Sequence, residues 1–154
     1  MKNLTCCFTG HRRIPEEDIN KIKNNLTVEI ENLINRGIIY FGCGGALGFD
    51  TLAAETILKL KEKYNYIRLI LVLPCRDQNA SWKEKDNLRY ENIKTLADKI
   101  IYTSENYYDG CMQKRNRHLV DHSCVCVAYV RKTYGGSAYT LKYASKNGVE
   151  VIYV

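Results

Sequence analysis

Short apolar runs alternate with helix-like segments along the whole chain, and this alternation constrains the fold more than any other feature. The runs are Leu4–Phe8, Ile38–Phe41, Ile67–Leu73, Lys99–Tyr102, Cys124–Val130 and Val149–Val154. Several are apolar at every position, which suits a strand buried on both faces. The first intervening segment reads as a helix opened by Pro15. Glu16, Glu17 and Asp18 fall in its first turn, and Ile19, Ile22, Leu26, Ile30, Leu33 and Ile34 recur at helical spacing before Gly37 stops it. Further helices are expected from the glycine loop to about Tyr64, over Ser81–Ala97, over Met112–Asp121 and over Gly136–Lys146. Strand-helix alternation of this kind specifies a doubly wound α/β fold, a mostly parallel sheet with helices on both faces. With 154 residues and no linker, repeat or low-complexity stretch, residues 1–154 read as one domain.

Seven cysteines, an odd number without disulfide-like spacing, read as reduced thiols. No apolar run is long enough to span a bilayer, and no secretory leader opens the sequence. The expectation is a cytoplasmic protein with no membrane partner. The net charge of +6 suits a nucleic acid or a phosphorylated small ligand, and equally suits solvated helix faces.

In a parallel sheet the strand-to-helix loops gather at one edge, where ligands bind. Here they are Thr9-Gly10-His11-Arg12-Arg13, Gly42–Asp50, Pro74–Trp82, Ser104–Gly110 and Arg131–Ser137. The stretch Gly42–Asp50 is not the dinucleotide fingerprint, because Leu47 stands where a third glycine belongs, and it has no P-loop lysine. Gly44, Gly45 and Gly48 nonetheless precede a helix, and Gly135, Gly136 and Ser137 repeat that arrangement. Such loops either cradle a phosphate and a ribose against free N–H groups or are tight βα turns.

Asp50 has two readings: a helix-terminal acid stabilised by the dipole, or a carboxylate facing the sheet edge and accepting bonds from sugar hydroxyls. Arg115 and Asn116 lie on the apolar side of their helix, so they need protein partners or a polar pocket. Arg12 joins Arg115 as a phosphate ligand, and Trp82 or Tyr107 is available to stack on a base. His118 and His122, four apart beside Cys124, form a possible metal pair, but Leu119 stands where the zinc-protease glutamate would be. Cys43, Cys75 and Cys111 occupy loops at the ligand edge, with His11 as the only comparable base for a thiol nucleophile.

Four stretches in order, "FTGHR", "GGALGFDTLAAE", "LPCRDQNASW" and "QKRNRHLVDHS", resemble the YpsA-like (DUF1273) family of the SLOG superfamily. That superfamily also holds the DNA-processing protein A domain and the Lonely Guy phosphoribohydrolases. The resemblance covers nearly the whole chain and implies a Rossmann-like domain that binds a nucleotide or nucleotide-derived ligand. It carries the G-x-D/E signature onto Gly48-Phe49-Asp50, a third-strand motif onto Pro74, Gln78 and Trp82, and an Arg-Asn pair onto Arg115-Asn116. Thr9 and Gly10 of the first motif join the set. The Lonely Guy motif P-G-G-x-G-T-x-x-E is altered: Tyr134 replaces its proline, Ala138 its third glycine, and no acid follows.

The resulting expectation is a sensor or regulatory protein that binds ADP-ribose, NAD or AMP and needs no cofactor or metal. One rival is an N-glycosidic-bond hydrolase acting on nucleoside monophosphates, with Asp50 as its acid. The other is a DNA-binding module. Nucleic acid and a second copy of the chain stay open as partners.

Overall fold

Cys6, Cys7 and Phe8 are buried on both faces of the first strand, β1 (Thr5–Gly10), which lies inside the sheet in a computed structural model describing Met1–Val154. The helix α1 (Ile19–Asn35) follows, then β2 (Tyr40–Cys43), α2 (Phe49–Leu60), β3 (Arg68–Leu73) and α3 (Glu84–Leu96). The second half holds β4 (Lys99–Tyr102), α4 (Cys111–Asp121), β5 (Val125–Tyr129), α5 (Gly136–Lys146) and β6 (Glu150–Tyr153). The strand order is β4-β3-β2-β1-β5-β6, and every neighbouring pair is parallel. The chain therefore builds outward from β1 to one edge, then crosses back to β5. This is the Rossmann-like arrangement, and the crevice between β1 and β5 is its switch point.

Right-handed crossovers assign the helices to faces. The first three connections step in one direction and place α1, α2 and α3 together, over a core of 26 residues that includes Ile22, Leu26, Ile30, Phe41, Phe49 and Leu71. The return crossover places α4 and α5 on the opposite face, over a cluster of only seven residues around Cys7, Val72, Val120 and Cys126. Two helices cannot cover six strands, so that second layer is thin over β2–β4.

Element boundaries shift slightly from the sequence expectation. Pro15 precedes a single 3-10 turn, Glu16–Asp18, and α1 proper begins at Ile19. Ser81–Lys83 lies outside α3, because the Ala80 and Trp82 N–H groups close turns onto Asp77 and Asn79 and Lys83 is extended. Ile38 is tied to the end of α1 by its N–H bond to the Leu33 carbonyl, so β2 starts at Tyr40.

Gly48 caps α2 at φ +76°, and a Cβ there would overlap the Arg12 carbonyl. Gly136 has open space around the corresponding position and needs no left-handed backbone. Replacing Gly48 by Ala is expected to destabilise the fold by about 3 kcal/mol or more, while Gly136→Ala changes stability by less than about 1 kcal/mol. Urea unfolding of the two variants checks this; equal costs would show that the α2 turn tolerates a side chain.

Candidate functional site

The C-terminal ends of β1 and β5 open into a cleft of about 290 Å³. Its floor is Phe8, Thr9 and Gly10 of β1, which lead into His11 and Arg12. One wall is Ala46 and Asp50, before and at the start of α2, another is Met112, Arg115 and Asn116 of α4, and the mouth is Lys132 and Tyr134 to Ser137, leading into α5. Of the residues expected from sequence, Thr9, Gly10, Arg12, Asp50, Arg115, Asn116, Gly135, Gly136 and Ser137 meet here.

The expected residues of the first glycine loop and of the third-strand motif do not line this cleft. Gly44 lies behind Arg115: a Cβ on it would meet Arg115 Nη1 at 2.6 Å and Asp50 Oδ2 at 2.9 Å. A Cβ on Gly45 would meet Tyr90 and Gln78, and Gly48 receives the Arg12 backbone. These glycines admit protein atoms, so they are packing devices. Pro74 is buried at the end of β3. Gln78 donates from Nε2 to the Tyr90 hydroxyl at 3.2 Å, and Trp82 packs edge-on to Tyr90 at 5.0 Å. Pro74, Gln78 and Trp82 thus lie away from this cleft, and Gln78 Oε1 is buried without a hydrogen-bond partner. Tyr107, 58% exposed, also lies outside the lining.

Sequence reasoning passed over His11, Ala46, Met112, Lys132 and Tyr134 as lining residues. Tyr134 is the informative one: it stands exposed at the mouth, with the Lys132 ammonium 5.6 Å from its ring centroid. Its position next to Gly135-Gly136 was the available signal.

Asp50 is 7% exposed, and its Oδ2 accepts the Ala46 N–H at 3.2 Å. As the acid in the first turn of α2 it also meets the helix dipole, so both sequence readings of Asp50 apply to the same carboxyl. Burial raises the Asp50 pKa, opposed by Arg115 and by the Ala46 N–H. Arg115, 4% exposed, donates from Nη1 to the Gly44 carbonyl and from Nε to Asn116 Oδ1 at 2.7 Å, and its Nη2 faces Met112 Sδ at 3.8 Å. Burial lowers its pKa, with Asp50 opposing. No carboxylate is within ion-pairing distance of it. Three of its five donors are engaged and two remain for something else.

The first N–H groups of α5 add to this. The first bond closing that helix runs from Tyr139 N–H to the Gly135 carbonyl, so the N–H groups before it face the cleft mouth without helical partners. Buried guanidinium, surface Arg12 and Lys132, and a helix N-terminus give the cleft a positive field suited to an anion. His11 accepts the Arg131 N–H at Nε2, 2.8 Å away, which keeps the ring neutral.

Other candidate chemistry does not assemble. His118 and His122 stack ring on ring at 4.2 Å on α4 and lie outside the cleft. Cys124 directs its thiol to the Asn3 and Thr5 carbonyls. Cys43, Cys75 and Cys111 are buried. Burial pushes the Cys43 thiol well up, and burial with Asp77 pushes Cys75 up to about 11, so neither favours the thiolate that a nucleophile requires.

The fold and site thus define a Rossmann-like α/β protein with an anion-attracting cleft at the switch point of its sheet. The chain belongs to the YspA SLOG family, whose sequence profile matches residues 7–153. It is 32% identical over 139 residues to YoqJ, an uncharacterised SPbeta prophage-derived protein of Bacillus subtilis, covering 82% of this chain and 81% of YoqJ. It is 30% identical over 148 residues to a UPF0398 protein of Enterococcus faecalis, covering 90% and 82%. Among solved structures it is similar to DNA processing protein A of Helicobacter pylori, described for its single-stranded DNA binding mode, with TM-score 0.69 and 19% identity. DNA processing protein A of Streptococcus pneumoniae gives 0.70 and 17%. Both alignments cover 99% of this chain, which spans 65% and 50% of those longer chains.

Folding lowers the His11 pKa, first through burial and then through Lys132 and Arg131. As pH falls below 6.5 the unfolded chain takes up this proton before the folded chain does. The contribution from neutral His11 is therefore complete above that pH and lost as pH falls toward the folded value. Denaturation midpoints are expected to fall between pH 8 and pH 5, and His11→Gln should flatten part of that decline. An NMR titration placing the His11 pKa at or above 6.5 would contradict the burial argument.

Proposed function

We propose that this cleft binds a nucleotide-type ligand such as AMP, ADP-ribose or NAD, as a sensor or regulatory protein would. The observation that carries the proposal is Arg115, a buried guanidinium with two donors to spare, near Asp50 but not ion-paired with it, in a cleft that the start of α5 also lines. A phosphate bound between Arg115 and Gly136-Ser137 would take up the spare donors of Arg115, with Arg12 and Lys132 adding field from the rim. Asp50, next to Arg115, would accept bonds from ribose hydroxyls. Tyr134 would offer a ring for the base at the mouth, in place of the Trp82 and Tyr107 suggested by sequence.

Asp50 also supports a second reading. A carboxyl with raised pKa at a ligand wall can act as a general acid, which is what cleavage of an N-glycosidic bond requires. Glycosidic hydrolysis generally uses two carboxylates, and Asp50 is the only one lining the cleft. Binding without turnover is therefore the favoured reading. Incubation with AMP is expected to release free base at well below about 1 per second. Chromatography showing ordinary enzymatic turnover would restore the hydrolase.

For binding itself, a ligand at ~100 times its dissociation constant should add ~2.7 kcal/mol of stability. A nucleotide panel giving no thermal shift at saturating concentration would defeat the proposal. Asp50→Asn can keep the Ala46 N–H bond, so its stability should change by less than ~1 kcal/mol, while affinity falls by ~1.5–3 kcal/mol. Titration calorimetry on the variant reads the second quantity, and unaltered affinity would remove Asp50 from the site.

A further inference from the structure

The thin second layer leaves a groove of about 280 Å³ on the face of β2–β4, on the far side of the sheet from α1–α3 and separate from the cleft. Strand alternation turns Tyr40, Ile70, Val72 and Ile101 toward it, and Leu119 of α4 forms its side wall. Gly42 belongs to this floor, where a Cβ would meet Leu119 Cδ2 at 3.0 Å. We propose that this groove docks an amphipathic helix of a partner protein whose apolar stripe is edged with Asp and Glu. The proposal is independent of the nucleotide reading.

The dimensions suit a single helix. Three neighbouring strands span about 10 Å, and a helix with its side chains is about 10–12 Å across. A helix seated there would lie beside α4 and supply the third helix that this face lacks. Charge selects the partner. The basic side chains of the rim are Lys2, Lys99, His118 and His122, and the only other ionisable side chain lining the groove is the phenol of Tyr40, with no carboxylate among them. Asp121 is near His118, but its Oδ1 accepts the Tyr143 hydroxyl at 2.7 Å, on the α5 side. A second copy docking face to face would set these basic rims against each other, so self-association through this surface is disfavoured. The His118-His122 pair, which has no part in the cleft, thus belongs to the rim of the groove.

The test uses three synthetic peptides of about 18 residues with one shared leucine stripe and flanks of Glu, Gln or Lys. Their binding to the intact chain is read by fluorescence anisotropy. The expected order of affinity is Glu, then Gln, then Lys, with the Glu peptide weakening as salt rises. Ile101→Glu should weaken the Glu peptide at least about tenfold. Lys2→Glu combined with Lys99→Glu should transfer the preference to the Lys peptide. Both replaced lysines are exposed, so this double variant carries the test if Ile101→Glu fails to fold, as melting curves would reveal. Equal affinity for the Glu and Lys peptides, no binding of any peptide, or no transfer of preference would overturn the proposal. So would a dimer dispersed by Ile101→Glu, which would assign the face to a second copy.

Discussion

The bond from the Arg115 guanidinium to the Gly44 carbonyl joins the two halves of the molecule. Gly44 opens the loop after β2, on the side of the chain that built outward; Arg115 lies on α4, in the return crossover. A cation this deeply buried is costly unless its donors are satisfied. The glycine loop satisfies part of that need with a backbone carbonyl, and it can do so only because Gly44 has no side chain. The placement of Asp50 follows, since its carboxylate is held by the Ala46 N–H of the same loop. One contact therefore orients a carboxyl and a guanidinium side by side in a single cleft.

Around that contact, β1 acts as the hinge of the architecture. Gly10 leaves room for Phe49, whose ring packs on Tyr129 at 5.9 Å and on Phe8 at 6.4 Å. The Phe49 N–H bonds to the His11 carbonyl, and the His11 N–H to the Tyr129 carbonyl. Strand ends and helix starts from both halves are thus fastened at the point where strand order reverses. That is where an open parallel sheet parts its loops and leaves a crevice. Burial disfavours the charged forms of both Asp50 and Arg115, so neither is fully compensated by the protein alone.

The similarity to DNA processing protein A, at 19% and 17% identity, speaks to the fold. Family membership rests on sequence, across residues 7–153. The cleft and the thin face are properties of this chain's own side chains laid on that shared fold.

The sequence by itself determined the class of fold, because continuous apolar strands must be covered on both faces and because helical spacing separates them. It also determined which loops share an edge, since parallel strands place every βα turn on one side. Asp50, Arg115, Asn116 and the Gly135-Gly136-Ser137 turn were legible for that reason. Only the tertiary structure decided which glycines face the cleft. A glycine admits a close neighbour, and nothing local tells whether that neighbour is a ligand or a protein group: Gly44 and Gly48 admit Arg115 and the Arg12 backbone. Trp82 carries the same ambiguity, because an aromatic ring can stack on a base or pack edge-on against a protein ring, as Trp82 does against Tyr90. The return crossover, which leaves β2–β4 half covered, was likewise decided only by strand order. Periodicity within an element reports what that element buries, whereas the neighbour that buries it is chosen by contacts between residues far apart in the chain.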